Sequence, residues 1–196
     1  MSDLLSTAAV LESSGGRAQA VSGVTQLTLM DAICAPAATC ACAPADNLAL
    51  HRLLRHAPEG AALVADAGGR GDAGHFGELM AMDAEQRGLQ GLVIGGAIRD
   101  GGLIAVLGFP VFHVGFAAAT CAKERVVSVG EPVEVGGVRI APGDQIVADS
   151  DAVLVVAAAD WPAVEAAARE LQALEEDLRT HILRGGRLAD QLDLPE

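Results

Sequence analysis

The sequence predicts an α/β domain made of βαβ units, a set of short strands and a long C-terminal helix. Apolar runs at 61–67 and 91–96 flank a helical stretch at 77–87, and such short links read as strand, helix, strand. Residues 111–156 carry short β-branched runs divided by Gly136-Gly137 and Pro142-Gly143-Asp144, which make tight turns. From Trp161 to about Arg184 apolar residues keep to one helical stripe: Val164, Ala167, Leu171, Leu174, Leu178 and Ile182.

Taken in order, residues 1–30 are weakly patterned and read as a short N-terminal helix followed by a loop at Ser13-Ser14-Gly15-Gly16. A strand is expected at 39–43. Pro44-Ala45-Asp46 then leads into a helix over 47–56, with Leu48, Leu50, Leu53 and Leu54 apolar, Asp46 as its cap, and Pro58 with Gly60 ending it. The strand at 61–67 runs into a glycine-rich loop from Gly68 to Gly77, and the next helix stops at Gly88. The strand at 91–96 ends in Ala97-Ile98-Arg99-Asp100. Beyond Pro110, strands are expected at 111–114, 126–129, 132–135, 138–140, 145–148 and 152–156. Asp160 caps the last helix, Pro162 sits in its first turn and Gly185-Gly186 end it. Glu165/Arg169 and Glu175/Arg179 stand at i,i+4 spacing. That helix, 160–185, packs either on its own domain or on a neighbouring subunit. Residues 1–196 are expected to form a single domain.

Composition excludes several functions. With 13 Lys and Arg against 26 Asp and Glu, the formal net charge is −13. No basic run exists and aromatic residues make up 3% of the chain, so nucleic-acid binding by charge or by stacking is not expected. No apolar run is long enough to span a bilayer and no secretory signal is visible. Cys34, Cys40, Cys42 and Cys121 lack metal-ligand spacing and fit small buried residues in a reducing cytoplasm; on a strand Cys40 and Cys42 would share a face. Lys123 is the sole lysine, so Schiff-base chemistry would have to use it.

Features able to do chemistry lie close together. The glycine-rich loop runs from a strand into a helix and offers free N–H groups and the positive end of a helix dipole to an anion. Arg99-Asp100 follows the next strand, at the end where α/β sheets bind ligands. An arginine can grip a carboxylate through two hydrogen bonds, and an aspartate is a hard ligand for Mg²⁺; the pair also fits a solvated turn. Glu78 occupies the dipole-stabilised first turn of the helix. His51 fits packing or solvent better than a site, His113 fits a satisfied core histidine, and Lys123-Glu124 fits a surface or intersubunit ion pair.

Glu78, twenty residues, then Arg99-Asp100 resembles the acidic-X20-Arg-Asp signature of the RraA-like family. The likeness covers residues 30–190. It runs through Pro44-Ala45-Asp46-Asn47-Leu48-Ala49-Leu50-His51, Gly77-Glu78-Leu79-Met80-Ala81, Gly91-Leu92-Val93-Ile94-Gly95-Gly96-Ala97-Ile98-Arg99-Asp100 and Gly108-Phe109-Pro110-Val111-Phe112. It continues in Pro132-Val133-Glu134-Val135-Gly136-Gly137-Val138 and Pro142-Gly143-Asp144-Gln145-Ile146-Val147-Ala148-Asp149. The resemblance implies a swivelling β/β/α-type domain in the cytoplasm, assembled as a homotrimer or hexamer with sites between subunits. It implies a divalent-metal-dependent lyase. Such an enzyme uses Mg²⁺ or Mn²⁺ to cleave 4-hydroxy-4-methyl-2-oxoglutarate or 4-carboxy-4-hydroxy-2-oxoadipate to pyruvate, with oxaloacetate decarboxylation alongside. The alternative within the family is a non-catalytic regulator of ribonuclease E or a helicase.

On this chain the resemblance gives Arg99 the pyruvyl group, Asp100 the metal and Glu78 the metal-bound water. A neighbour's Glu175 or Glu176 completes the pocket, and Gly77 with the amides around Leu79 and Met80 faces the substrate carboxylate. The chain departs from the family's aldolases in having Glu78 where Asp is usual, Gly95-Gly96 before the Arg-Asp strand end, and Ala117-Ala118-Ala119 near a usual Pro-Arg pair.

Overall fold

A computed structural model of the chain describes residues 4–191. It opens with α1 (Thr7–Ser13), whose Ser6 hydroxyl accepts the Ala9 amide at 3.1 Å, and which Asp149 ties down by accepting the Thr7 amide and hydroxyl at 2.8 and 2.7 Å. Short strands β1 (Ala18–Ala20) and β2 (Thr25–Gln26) precede the main run of β3 (Ile33–Cys42), α2 (Leu48–His56), β4 (Ala62–Phe76), α3 (Glu78–Gln86), β5 (Gly91–Ile98), α4 (Gly101–Leu107) and β6 (Val111–His113). Then come β7 (Gly115–Phe116), β8 (Val126–Val129), β9 (Val133–Val135), β10 (Val138–Ile140), β11 (Gln145–Ala148), β12 (Val153–Val156) and α5 (Trp161–Leu183).

Among the described residues ten strands join in one sheet, ordered β1-β12-β11-β3-β4-β5-β6-β2, with β7 on β5 and β8 on β3. Its centre, β3-β4-β5-β6, is parallel, and α2, α3 and α4 make the crossovers, as parallel pairing demands. Period-two alternation divides the core. Leu63, Ala65, Leu92, Ile94 and Ile98 face the helices and meet Leu50, Leu53, Ala81 and Ile104. Ala62, Val64 and Val93 face the other way, onto Val133, Val135, Val138 and Ile140 of the separate β9–β10 hairpin. A third cluster seats Val10 of α1 and Val164 and Ala168 of α5 on Val147, Leu154 and Val156. The four cysteines are free thiols, Cys40 fully buried. Among the described residues no helix is long and apolar enough to cross a membrane.

Several elements differ from expectation. β3 begins at Ile33, since Pro36 lies opposite Gln145 and the neighbouring Ala37 amide bonds to Asp144 O. Residues 68–72 are an exposed excursion within β4, which pairs Arg70 with Gly96 and then Gly74 with Ala97, so the glycine-rich stretch does not run straight into α3. α4 is an addition: its apolar residues lie between Gly101-Gly102 and Gly108, too short a run to show a helical period. Asn47, not Asp46, is the residue before α2, although the Asp46 carboxylate takes the Leu48 amide. Asp160 precedes α5 without a side-chain cap bond. Arg179 pairs with Glu176 at i,i+3 rather than Glu175, whereas Glu165–Arg169 forms at 2.7 Å. Only the first half of the α5 stripe is covered; Leu174 and Ile182 are exposed.

Candidate active site

β4 and β5 end side by side, with Phe76 opposite Ile98 and the Arg99 amide donating to Phe76 O at 2.9 Å. Each strand then turns into a helix: Gly77 precedes α3 and Asp100 precedes α4. The two turns are thereby pressed together at the carboxyl ends of parallel strands, where such sheets place ligands. Asp100 holds a left-handed backbone, φ 57° and ψ 28°, which costs a non-glycine residue about 1–3 kcal/mol and marks functional positions. Its Oδ2 lies 3.2 Å from Arg99 Nε, and both side chains are roughly two-fifths exposed (43% and 38%). Gly74 leaves no room for a side chain: a β-carbon there would meet Ala117 O at 2.7 Å and Arg99 Cβ at 2.9 Å.

Around this pair is a cavity of about 210 Å³, suited to a small metabolite, since drug-sized ligands need about 300 Å³ or more. Asn47, just before α2, and His51 of α2 form one wall; Gly74, His75, Gly77, Leu79 and Met80 form the floor. Arg99, Asp100, Thr120 and Lys123 complete it. Met80 N and Ala81 N both donate to Gly77 O, at 3.0 and 3.1 Å. The Met80 amide, expected to face a carboxylate, is therefore spent; the amides at the first two positions, Glu78 and Leu79, are those a helix start leaves open.

Thr120 and Lys123 belong to an irregular strap, 117–125, between β7 and β8. The Ala117 amide bonds to Ile98 O at 2.9 Å, the Gly74 amide to Ala119 O at 2.8 Å, and Cys121 Sγ to Gly74 O at 3.6 Å. The Asn47 amide bonds to Ala122 O at 3.0 Å and the Ala122 amide to Ala45 O at 2.8 Å.

Burial and the neighbouring Lys123 charge push His51 below its ordinary value, against Asp83, so its ring is neutral at pH 7. Burial likewise lowers His75, fully enclosed with Nδ1 3.0 Å from Ala73 O. At Asp46 burial raises the pKa, but three backbone N–H bonds outweigh it and hold the carboxyl below the usual range. Gly96 is explained by Ala67, whose Cβ a β-carbon at Gly96 would strike at 2.6 Å.

The structure thus brings together Gly77, Leu79, Met80, Arg99 and Asp100. Glu78 opens α3 half-buried but does not line the cavity. Glu175 and Glu176 lie elsewhere, in a larger cleft of about 630 Å³ between the N-terminal segment and α5, where Glu176 pairs with Arg179. His51 and Lys123, read from sequence as packing and surface residues, line the site, as do Asn47, His75 and Thr120. Asn47 and His51 stand at i,i+4 just after the Pro44-Asp46 turn, a spacing that could have flagged them. Nothing local in the sequence marks Thr120 or Lys123, which the strap delivers.

The model of the RraA-like family, described as Aldolase/RraA, matches residues 2–155. A Halalkalibacterium halodurans protein, provisionally named a 4-hydroxy-4-methyl-2-oxoglutarate aldolase, is 32% identical over 170 residues, 87% of this chain and 81% of that protein. An uncharacterized protein from Pseudomonas syringae pv. tomato superposes with a TM-score of 0.81 at 26% identity, covering 95% of this chain and 92% of its own. RraAS2 of Streptomyces coelicolor, described as an unusual member of the RNase ES inhibitor RraA protein family, has a TM-score of 0.76 at 29% identity over 88% of this chain and 91% of its own. Matched over most of its length by the family model and sharing its fold with these structures, the chain belongs to the RraA-like family.

Proposed function

We propose that this chain is a divalent-cation-dependent lyase that releases pyruvate from a 4-hydroxy-2-oxo diacid or triacid of the 4-hydroxy-4-methyl-2-oxoglutarate or 4-carboxy-4-hydroxy-2-oxoadipate type, with oxaloacetate decarboxylation as a related activity. One observation carries this reading: Arg99 and Asp100, paired at 3.2 Å, share a small cavity with the start of α3. The name of the Halalkalibacterium relative supports the same chemistry.

Asp100 would hold the cation. Among the described residues no three His, Cys, Asp or Glu side chains cluster as a metal site. A single carboxylate fits Mg²⁺ or Mn²⁺, which keep several waters and take ligand oxygens, and does not fit a structural zinc with four protein ligands. When bound, such a cation supplies Lewis-acid withdrawal of electron density from a 2-oxo acid. The remaining work falls to the chain. Arg99 faces the oxygen on which enolate charge grows as the C3–C4 bond breaks. The open amides of Glu78 and Leu79 take the substrate carboxylate. Lys123 offers a charge for a second carboxylate, which favours diacids, and neutral His51 can accept the hydroxyl proton. Glu78, half-buried at the start of α3 in the same chain, would order water beside the cation. Glu175 and Glu176 act in this scheme only when α5 of a second copy reaches the cavity, as in a homotrimer or hexamer; the exposed Leu174, Ile182 and Leu183 provide apolar surface for that contact.

The test is a lactate-dehydrogenase-coupled assay with several 4-hydroxy-2-oxo acids and oxaloacetate, with and without Mg²⁺. Pyruvate release should need the cation, and Arg99→Ala should lower it about 10²–10³-fold. Release that survives excess EDTA, or that Arg99→Ala leaves unchanged, overturns the proposal.

The only lysine of the chain lines the cavity, which favours a second reading, Schiff-base catalysis. Lys123 is exposed, whereas nucleophilic lysines are activated by desolvation or an adjacent cation. Borohydride with pyruvate should therefore leave the activity intact; irreversible loss would establish the Schiff base. A non-catalytic regulator draws on the net charge of −13 and the likeness to RraAS2; capture of a ribonuclease or helicase together with absent pyruvate release would favour it.

A further inference from the structure

Asp46 is 1% exposed, and its two oxygens are engaged by different elements. Oδ1 accepts the amide of Leu48, the first residue of α2, at 3.0 Å. Oδ2 accepts the amides of Glu124 and Arg125 in the strap, at 2.9 and 3.0 Å. A buried carboxylate is tolerated only when so bonded, and bonds to a charged acceptor are the strong ones. The two elements it joins are two walls of the cavity, for Asn47 and His51 stand at the start and on the second turn of α2 and Thr120 and Lys123 on the strap. Lys123 stands between Ala122, bonded both ways to the Ala45–Asn47 turn, and Glu124, whose amide goes to Asp46. The strap has neither helix nor strand of its own there; backbone bonds at Ala117, Ala119 and Ala122 hold its first part, and past Lys123 the Asp46 carboxylate takes over through the Glu124 and Arg125 amides.

We infer that Asp46 is a positioning residue for substrate recognition: by clamping the strap to the start of α2 it holds Lys123 in the cavity wall, where the ammonium reads the second carboxylate of a diacid. The substrate rests on the lyase reading above; the clamp itself rests on geometry alone. Asp46→Asn keeps the shape but turns an NH₂ group toward amide donors on one side, so one of the two attachments is lost.

The experiment compares Asp46→Asn, Lys123→Met and the double variant in the full chain, by amide hydrogen exchange and by pyruvate-release kinetics. In Asp46→Asn the amides that the NH₂ group faces, Leu48 on one side or Glu124 and Arg125 on the other, should lose protection while those of β4 and β5 keep it. KM for the diacid should rise about tenfold, the weight of one charge-assisted hydrogen bond, with kcat little changed. Lys123→Met should give the same KM rise with the strap still protected, and the double variant should be no worse than either. Should Asp46→Asn not fold, Arg125→Pro removes one strap donor and should raise KM in the same direction. Protection lost evenly through the core, Leu48, Glu124 and Arg125 all still protected, or KM effects that multiply in the double variant would each overturn the inference. If the unaltered chain releases no pyruvate, the lyase reading falls, and hydrogen exchange alone then decides the clamp.

Discussion

The β-carbon that Gly77 lacks would stand 2.8 Å from Asp100 Oδ2 and 3.2 Å from Arg99 Nε. Gly77 has φ −146°, extended backbone open to any residue, so contact with the site requires the glycine. Gly77→Ala should push the Arg99–Asp100 pair out of place and cost about 10²-fold in kcat/KM, while Tm barely moves. The coupled assay beside a melting scan checks both halves; a silent substitution would mean that the pair adapts freely.

Asp100 has the opposite balance. Its left-handed backbone suits glycine better than aspartate. Asp100→Gly should abolish the response of activity to Mg²⁺ yet leave Tm equal or higher, a trade of stability for function. A marked fall in Tm would show that the carboxylate is there for the fold.

How much of this was legible in the chain follows from the range of the forces involved. β8, β10 and β11 fall where alternation and turn residues put them, because both signals are local. The Arg99-Asp100 end of β5 was legible for the same reason. The excursion in β4 was not: its return is driven by pairing of Arg70 and Gly74 with β5, a contact between distant residues. Lys123 and Thr120 were invisible as site residues because a strap anchored by Gly74, Ala45, Asn47 and Asp46 carries them. The departure at Gly96 gains a cause only from packing, with Ala67 crowding the position.

Acid should unfold the chain in stages. His75 and His113 are buried, and burial lowers both from the ordinary 6.5. Below about pH 6.5 the unfolded chain binds protons that the folded chain refuses, so stability falls as pH falls toward the lowered folded values. Asp46 and Asp149 are lowered carboxyls: burial raises them, and backbone and Thr7 hydrogen bonds outweigh it. Their contribution is present above the ordinary value of 3.8 and is lost as pH falls through the folded values. Urea midpoints taken from about pH 8 to pH 3 should decline in those two windows; a midpoint flat between pH 7 and pH 5 would contradict the histidine part.

Glu175 and Glu176 are remote from Arg99 within one chain. If a second copy supplies them, Arg99→Ala and the Glu175→Gln/Glu176→Gln double variant, each inactive alone, should regain part of the activity when their subunits are mixed and reassembled. Leu183→Glu, at a position 80% exposed in the single chain, should shift sedimentation toward monomer and lower activity with it. No recovery on mixing would confine the site to one chain.

β4 spends fifteen residues alongside the eight of β5, and the surplus at 68–72 stands in solvent. Because the chain leaves β5 after Asp66 and rejoins it at Arg70, added length at Gly68-Gly69 leaves the pairing on either side in place, and each doubling of such a loop costs only about 0.6 kcal/mol. The protein therefore carries a natural port for an affinity tag or fluorophore, mounted on the strand that leads directly into α3.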